Sequence, residues 1–200
     1  MAEGADPTLI DRLLATVEHD IIPLTRQGVE QGNKVFGAAI LRKDDLSLVV
    51  AGTNHETENP LWHGEVHTIK TLYEMPRAQR PAPKDCLFLA THEPCTLCLP
   101  AITWAGYDNF YYLYSHEDSR DSFQIGHDLL ILDALFKLGP GQYERSNSYW
   151  NGYGLIDLIE RCDPDAKERF RARVEAIRAS YERMSEVYQA HKDDSDIPLK

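Results

Sequence analysis

The order of apolar patterns along this chain predicts an α/β domain, in which helices alternate with strands. Three observations support this prediction: a long helical pattern near the start, a β-hairpin pattern after it, and two further strand patterns separated by helical ones. The length of 200 residues fits one domain, with or without an appendage. The hydrophobic fraction of 42% and the charged fraction of 26% are near globular averages, so a disordered chain is excluded.

The first third of the sequence predicts a helix followed by a hairpin. Apolar residues recur at helical spacing over residues 8–30, namely Leu9, Ile10, Leu13, Leu14, Val17, Ile21 and Ile22. Pro23 is expected to kink or split this helix because proline has no amide hydrogen. The hairpin is predicted from Val35–Leu41 and Leu46–Ala51, which flank the polar turn Arg42–Asp45.

The middle third predicts a second alternation of helices and strands. Thr53–Pro60 is polar and is expected to be a loop. The elements predicted after it are the helix His63–Met75, the strand Cys86–Ala90, the helix Thr96–Ala105 and the strand Asn109–Tyr114. Pro76 is expected to end the first of these helices.

The last third has a different composition. Gly126–Leu138 is apolar nearly all round, which predicts a buried helix. Gln142–Gly154 is rich in aromatic residues, Gly, Asn and Ser. It is either a binding loop or lid, or a segment that packs on the core, and the sequence leaves both open.

A long amphipathic helix is predicted to begin at Pro164, with Asp163 as its N-cap. Its apolar seam is Phe170, Val174, Ile177, Tyr181, Met184 and Tyr188, with alternating spacings of four and three residues. About three heptads are a short coiled coil, so docking of this helix on the parent domain is favoured over a dimer contact. We therefore predict a core domain over residues 1–138 and a C-terminal extension over residues 139–200 that packs on it.

Charge and composition favour a small-molecule partner. With 21 basic and 32 acidic residues, the formal net charge is −11, which makes nucleic acid an unlikely partner. The longest apolar runs, such as Leu129–Phe136, are far shorter than the roughly 18 residues that span a bilayer. The acidic start, Met1–Asp6, lacks the pattern of a signal peptide. A cytoplasmic protein with no membrane contact is expected.

Four residues carry the strongest chemical signal. Of the four cysteines, Cys95 and Cys98 form a Cys-x-x-Cys pair, which favours metal or redox chemistry over a disulfide. Two thiolates and the imidazole of His63 suit zinc and leave the fourth tetrahedral position open, as in catalytic sites. Glu65, two residues after His63, can approach the open side and move protons. This is the His-x-Glu…Pro-Cys-x-x-Cys signature of zinc deaminases.

Two other interpretations of these residues remain open. The site could be a structural zinc whose fourth ligand is His67 or His92, or a redox dithiol beside an unrelated histidine. His67 lies four residues after His63 and therefore shares its helix face, where a supporting or packing role is favoured. His92 lies at a strand end near the predicted metal and could support a ligand from outside.

The motifs resemble those of the cytidine deaminase superfamily, in the branch of bacterial guanine deaminases and tRNA adenosine deaminases. The similar segments, from about residue 10 to 125, are Phe36–Ile40, Gly52–Asn54, Asn59–Glu65, Glu93–Cys98 with Ala101–Ala105, and Asp121–Phe123. Gly64 and Leu61–Trp62 depart from the usual Ala and Thr-Ala. The loop from Asn54 to His63 and the interval from Cys98 to Asp121 are also shorter than in that branch.

The resemblance implies a three-layer α/β/α fold with a mixed five-stranded sheet, to which the C-terminal helix is added. The fifth strand is not visible in the sequence. One Zn²⁺ per chain would supply hydroxide from bound water at neutral pH. Glu65 would carry the water proton to the ring and then protonate the departing ammonia. A free nucleobase or related aminated heterocycle is the expected substrate, with guanine the best candidate.

Six residues are predicted to bind the substrate, and each has a structural alternative. Asn54 offers both a donor and an acceptor to a ring, although Gly-x-Asn is also a common turn. The Gly64 amide could bind a substrate oxygen, and Asp121 could accept guanine N–H groups or simply cap a turn. The other three are aromatic pocket residues or core residues: Phe36, Trp62 and Trp104.

The resemblance also implies a homodimer. The alternative activity is a nucleoside or tRNA adenosine or cytidine deaminase, against which the negative charge and the lack of a basic tail count. An alternative of another class is a non-catalytic, zinc-stabilised binding module, in which Glu65 would have no purpose.

Overall fold

The computed structural model describes residues 5–139 and 142–199. Its five strands are β1 (Gly37–Arg42), β2 (Leu48–Thr53), β3 (Cys86–His92), β4 (Asn109–Tyr114) and β5 (Asn151–Gly154). Its α-helices are α1 (Pro7–Thr16), α2 (Ile22–Glu30), α3 (Gly64–Glu74), α4 (Cys98–Trp104), α5 (His116–Asp121), α6 (His127–Phe136), α7 (Leu155–Glu160) and α8 (Pro164–His191). Short 3-10 turns lie at Arg77–Gln79, Pro83–Asp85 and Lys192–Asp194.

The strands form one mixed sheet in the order β2-β1-β3-β4-β5. β1 runs antiparallel to both β2 and β3, whereas β4 runs parallel to β3 and β5. Helices cover both faces, so the predicted three-layer fold with a mixed five-stranded sheet is confirmed. Among the described residues, no helix is both long enough and apolar enough to cross a bilayer.

Alternation along the strands divides the core into two apolar layers. Ala39 and Leu89 point into the layer that holds α1 and α8, while Ile40 and Phe88 point into the layer that holds α3 and α4. Successive strand residues face opposite sides of a sheet, so strands that are apolar throughout need a cover on each face. The buried strands therefore explain the helices on both sides.

The predicted first helix is continuous but changes its winding before Pro23. A π-helical turn over Val17–Ile21 joins α1 to α2, and Pro23 lies in the first turn of α2. Proline cannot donate to a carbonyl four residues back, and the wider turn accommodates its ring without breaking the helix. The expected disturbance at Pro23 is thus confirmed.

The prediction of a buried helix over Gly126–Leu138 is wrong. A helix is present as α6, but Leu132 is its single buried residue, and Leu130 and Leu135 are 68% and 69% exposed. The helix lies at the surface after β4, where the described residues provide no further layer to cover its outer side. Apolar composition favours burial but does not supply the partner that burial needs.

The fifth strand lies inside the aromatic segment Gln142–Gly154. β5 reads Asn-Gly-Tyr-Gly, a pattern that resembles a turn more than a strand. A Cβ at Gly152 would lie 2.4 Å from Phe110 Cζ, so the sheet accepts only glycine there. Trp150 is buried beside it and donates from Nε1 to Thr103 Oγ1 at 2.8 Å. At Trp150 the packing interpretation of this segment is therefore right.

The long last helix is present as α8. The Asp163 side chain accepts a hydrogen bond from the Ala166 amide at 3.0 Å, which confirms the predicted N-cap. All six residues of its predicted seam are buried, in the same core layer as α1. The guanidinium of Arg173 also binds the carboxylates of Asp11 and Glu18 at 2.7 Å each. The boundary between residues 138 and 139 stays a prediction.

Candidate metal centre and active site

Two strand-to-helix junctions bring the predicted metal ligands together. His63 is the N-cap residue of α3, Cys95 follows β3, and Cys98 is the first residue of α4. His63 Nδ1 lies 3.4 Å from Cys95 Sγ and 3.7 Å from Cys98 Sγ. One donor atom from each of the three residues lies within 4.8 Å of the other two, so one ion could contact all three.

The donor set fits zinc. Two thiolates and one imidazole are typical zinc ligands, and three protein ligands leave the fourth position for water or substrate. Within residues 5–139 and 142–199, no other group of three or more His, Cys, Asp or Glu residues is arranged to hold a metal. The four cysteines are free thiols rather than disulfides.

Neither histidine that was considered as a fourth ligand joins this group. The His67 ring stacks on His55 with a centroid distance of 3.9 Å. His92 is buried among aromatic rings, which are those of Phe36, Tyr114, Phe123 and Tyr181. Burial, and to a smaller extent the charge of Arg178, lowers the pKa of His92 to about 3, so it is a neutral packing residue.

Glu65 lies beside the ligands without joining the described metal group. Its carboxylate Oε2 is 3.2 Å from Cys98 Sγ, and the residue is buried in the first turn of α3. Burial and the charge of Cys95 raise the pKa of Glu65 to about 7. A carboxyl group with a pKa near neutrality can both accept and donate a proton, which is what a proton shuttle requires.

The three ligand side chains share protons in the metal-free protein. Hydrogen bonding from the Cys98 thiol keeps the pKa of Cys95 well below its usual value, against the effect of burial. Burial and the neighbouring Cys95 raise the pKa of Cys98 well above its usual value. Burial lowers the pKa of His63, but the hydrogen bond and charge of Cys95 outweigh it and raise the pKa to about 9. The Cys98 thiol and the His63 imidazole therefore hold protons at neutral pH, and Cys95 loses its proton most readily of the three.

Asn54 and Gly64, both predicted to bind substrate, bind each other. The Asn54 side-chain oxygen accepts the Gly64 amide at 2.5 Å, and its nitrogen donates to Glu56 Oε2 at 2.7 Å. Asn54 is fully buried, so both of its polar groups are used within the protein. The backbone of Gly37 also crosses closely here, because a Cβ at Gly64 would lie 2.9 Å from Gly37 Cα. The backbone of Gly37 therefore leaves no space for a side chain at Gly64.

The other four predicted substrate residues do not line the cavity beside the ligands, as far as the described residues define it. Phe36 contacts the His92 ring at a centroid distance of 4.7 Å, and the Trp62 ring lies under Lys70 Nζ at 4.8 Å. Trp104 is 91% exposed at the end of α4. Asp121 is exposed at the end of α5 and forms two hydrogen bonds with the Arg120 guanidinium.

The cavity beside the ligands has a volume of about 280 Å³. Its metal side is formed by His63 and Cys95, and its outer wall includes Asp128 from α6 and the chain end Ile197–Leu199. Burial and the charge of Cys95 raise the pKa of Asp128 to about 7. Sequence analysis missed this acid because a single Asp in an apolar helix carries no spacing signal. The apolar residues on the outer face of α6 led to the prediction of a buried helix. That prediction gave no reason to expect Asp128, on the inner face, in a cavity wall.

Glu93 connects the aromatic segment to the cysteine ligands. Its buried carboxylate accepts from the Tyr143 hydroxyl at 2.6 Å and from the Arg145 guanidinium at 2.8 Å. The same side chain accepts the His116 amide at 3.1 Å. Because Glu93 is followed directly by Pro94 and Cys95, these contacts hold the segment that carries the first cysteine.

The fold and the ligand set define a zinc-binding domain of the cytidine deaminase type. Residues 17–114 match the family model described as the cytidine and deoxycytidylate deaminase zinc-binding region. The matched region is just under half of the chain and contains both junctions and Glu65. The resemblance read from the motifs is thus confirmed.

Two of the similar proteins and structures are guanine deaminases. The guanine deaminase of Bacillus subtilis is 31% identical over 104 residues, which cover 50% of this chain and 64% of that protein. The chain thus spans slightly less than two thirds of the curated relative it matches. The X-ray structure of guanine deaminase from Bacillus subtilis aligns with 27% identity over 55% of this chain and 72% of the other, at a TM-score of 0.44.

A mutant of NE0047, solved in complex with 8-azaguanine, covers more of the chain. It aligns over 88% of this chain and 87% of its own with 18% identity and a TM-score of 0.50. At this identity the comparison shows that the two proteins share a fold.

Proposed function

We propose that the chain is a zinc-dependent hydrolytic deaminase of a free nucleobase or related aminated heterocycle, with guanine the best candidate. One observation carries the proposal: His63, Cys95 and Cys98 converge beside a cavity while the buried Glu65 lies 3.2 Å from one of the thiols. A structural zinc site would need a fourth protein ligand and would have no use for a buried acid there.

A zinc ion held by these ligands would supply a water molecule of lowered pKa as the nucleophile. In the proposed reaction, water adds to the ring carbon that bears the amino group. Glu65 takes a proton from the water and delivers it to the adjacent ring nitrogen, and then takes the remaining proton of the added hydroxyl and passes it to the amino group, which leaves as ammonia. The carbon–nitrogen bond breaks and a carbonyl forms. For guanine the attacked carbon is C2 and the product is xanthine.

The size and polarity of the cavity favour a free base. Pockets for drug-sized ligands range from about 300 to 1,000 Å³, and this one is about 280 Å³. Asp128 faces it and offers an acceptor for ring and amino N–H groups, which is the task first predicted for Asp121. Guanine presents such an N–H edge. The 31% identical guanine deaminase supports the same substrate.

In this proposal Asn54 holds the start of α3 through the Gly64 amide, and Phe36 packs against the His92 ring. Trp62 is assigned to the mouth of the site through its position next to His63. A role for Trp104 or Asp121 in substrate binding would require a second subunit, because both side chains are exposed to solvent. A cytoplasmic homodimer with one zinc ion per chain completes the proposal.

The competing activity is deamination of a nucleoside or of tRNA. The net charge of −11 disfavours a polyanion, and Ile197–Leu199 occupy part of the cavity wall. The competing class of protein is a non-catalytic binding module, which the burial of Glu65 beside the ligands disfavours.

The test is ammonia release by the full chain loaded with one equivalent of zinc. The panel comprises guanine, adenine, cytosine, their nucleosides, and aminated pterins. We expect turnover of a free base, with guanine preferred. Preference for nucleosides would support the competing activity. No ammonia from any member, with zinc demonstrably bound, would favour the binding module.

A further inference from the structure

A buried ion pair lies next to the candidate metal centre, in the wall of the same cavity. Lys34 Nζ is 2.9 Å from Glu56 Oε1, and the two side chains are only 7% and 1% exposed. Burying two charges is costly, and such a pair often stabilises a protein no better than apolar residues would. The location of this pair next to a metal ligand therefore suggests a role other than stability.

Glu56 interacts with the start of α3 in two ways, directly with His63 and through Asn54 with Gly64. Its Oε1 faces His63 Nε2 at 3.6 Å, and its Oε2 accepts the Asn54 side-chain nitrogen at 2.7 Å. Asn54 in turn accepts the Gly64 amide. The Glu56 carboxylate thus lies beside the His63 imidazole and is linked through Asn54 to the backbone amide of Gly64.

The two ring nitrogens of His63 face opposite partners. Nδ1 faces the thiols of Cys95 and Cys98, and Nε2 faces Glu56. A histidine that ligates a metal through one nitrogen usually donates a hydrogen bond from the other, often to a carboxylate, and this bond selects the tautomer and the ring orientation.

We propose that Glu56 is a positioning residue, which accepts the Nε2 proton of His63 and so directs Nδ1 to the metal. Lys34 compensates the charge of the buried Glu56 carboxylate. Asn54 fixes the second carboxylate oxygen and links it to Gly64. The inference deepens the proposed function, since it concerns how that site holds its zinc.

The experiment compares the zinc affinity of the full-length wild type, Glu56→Ala and Glu58→Ala, measured by competition with a chromogenic chelator. Glu58 is the matched control because it lies on the same loop, is largely exposed and approaches His55 rather than His63. Loss of a carboxylate behind a metal-ligating histidine typically weakens metal binding about 10- to 100-fold. We expect that loss for Glu56→Ala and a change below about twofold for Glu58→Ala.

Zinc affinity of Glu56→Ala equal to that of Glu58→Ala would overturn the inference, while zinc binding by the wild type would leave the proposed function intact. A wild type that binds no zinc would overturn both. Should Glu56→Ala not fold, ¹⁵N NMR of the zinc-loaded wild type decides the question. A proton on His63 Nε2 with Nδ1 bound to zinc is expected, and the opposite tautomer contradicts the inference.

Discussion

The two sides of the candidate cavity differ in how far the sequence predicts them. On the metal side His63 and Cys95 line the cavity, and Cys98 and Glu65 lie next to them. These residues lie at two strand-to-helix junctions and were predicted from the sequence. The outer wall, formed by α6 and the chain end, was not. The metal side depends on short spacings within single turns, so a motif describes it. The outer wall depends on where α6 packs on the rest of the domain, and no sequence motif specifies that packing.

The strongest test of the metal side is Glu65→Gln. The amide keeps the shape of the side chain but cannot accept a proton, so the variant should still bind zinc while turnover falls by about 10²- to 10⁴-fold. Ammonia release and zinc content of the same sample are the measurements. Turnover within a factor of ten of the wild type would remove Glu65 from the proposed mechanism.

A second test uses the protons of the ligand set. The pKa of His63 is raised to about 9 and that of Cys98 is raised above its usual value, so both hold protons at pH 7, whereas the pKa of Cys95 is lowered. Zinc must displace about two protons, and its affinity should therefore rise up to about 100-fold from pH 7 to pH 8. Above pH 9 the dependence should weaken as His63 loses its proton.

Calorimetry in two buffers of different ionisation enthalpy counts the protons released at pH 7. A count near zero, together with a flat dependence of affinity on pH, would contradict the assigned protonation of His63 and Cys98.

The outer wall is tested by Asp128→Asn against Asp121→Asn. A charged hydrogen bond contributes about 1.5–3 kcal/mol, so loss of the Asp128 carboxylate should reduce kcat/KM by about 10- to 150-fold. Asp121 is exposed and paired with Arg120, and its variant should match the wild type. Equal activity of the two variants would show that Asp128 does not orient the substrate.

The smallest expected effect concerns the exposed face of α6. Leu135→Ala should change the free energy of unfolding by no more than about 0.5 kcal/mol, since the side chain is 69% exposed. Leu132→Ala on the buried face should cost about 2–5 kcal/mol. Chemical denaturation of both variants measures the difference. A large loss for Leu135→Ala that depends on protein concentration would place this face in the expected homodimer.

Most of the fold could be predicted because it depends on local patterns. The helix with Pro23, the hairpin and the strand Asn109–Tyr114 each followed from spacing, and the structure has them with small shifts at the ends. β5 could not be predicted, because its Asn-Gly-Tyr-Gly sequence has low strand propensity. Glycine is required at position 152 by the ring of Phe110, a contact that the sequence does not show. The exposure of α6 could not be predicted either, since its composition does not say what covers it.

The candidate site divides in the same way. The ligand residues and Glu65 followed from residue type and spacing, because zinc chemistry needs those atoms near one another. The partnership of Asn54 with Gly64 and the approach of Glu56 to His63 depend on how a ten-residue loop folds back on the start of α3.

The sequence by itself determined the chemistry and the layers of this protein: a thiolate pair, an imidazole and an acid on an α/β framework. Periodicity and motif spacing act within one or two turns of chain, where local geometry is set by the backbone. Tertiary structure alone decided that Asp128 rather than Asp121 faces the cavity and that Lys34 is buried against Glu56. Those contacts join segments far apart in the chain, and packing of the whole domain selects them.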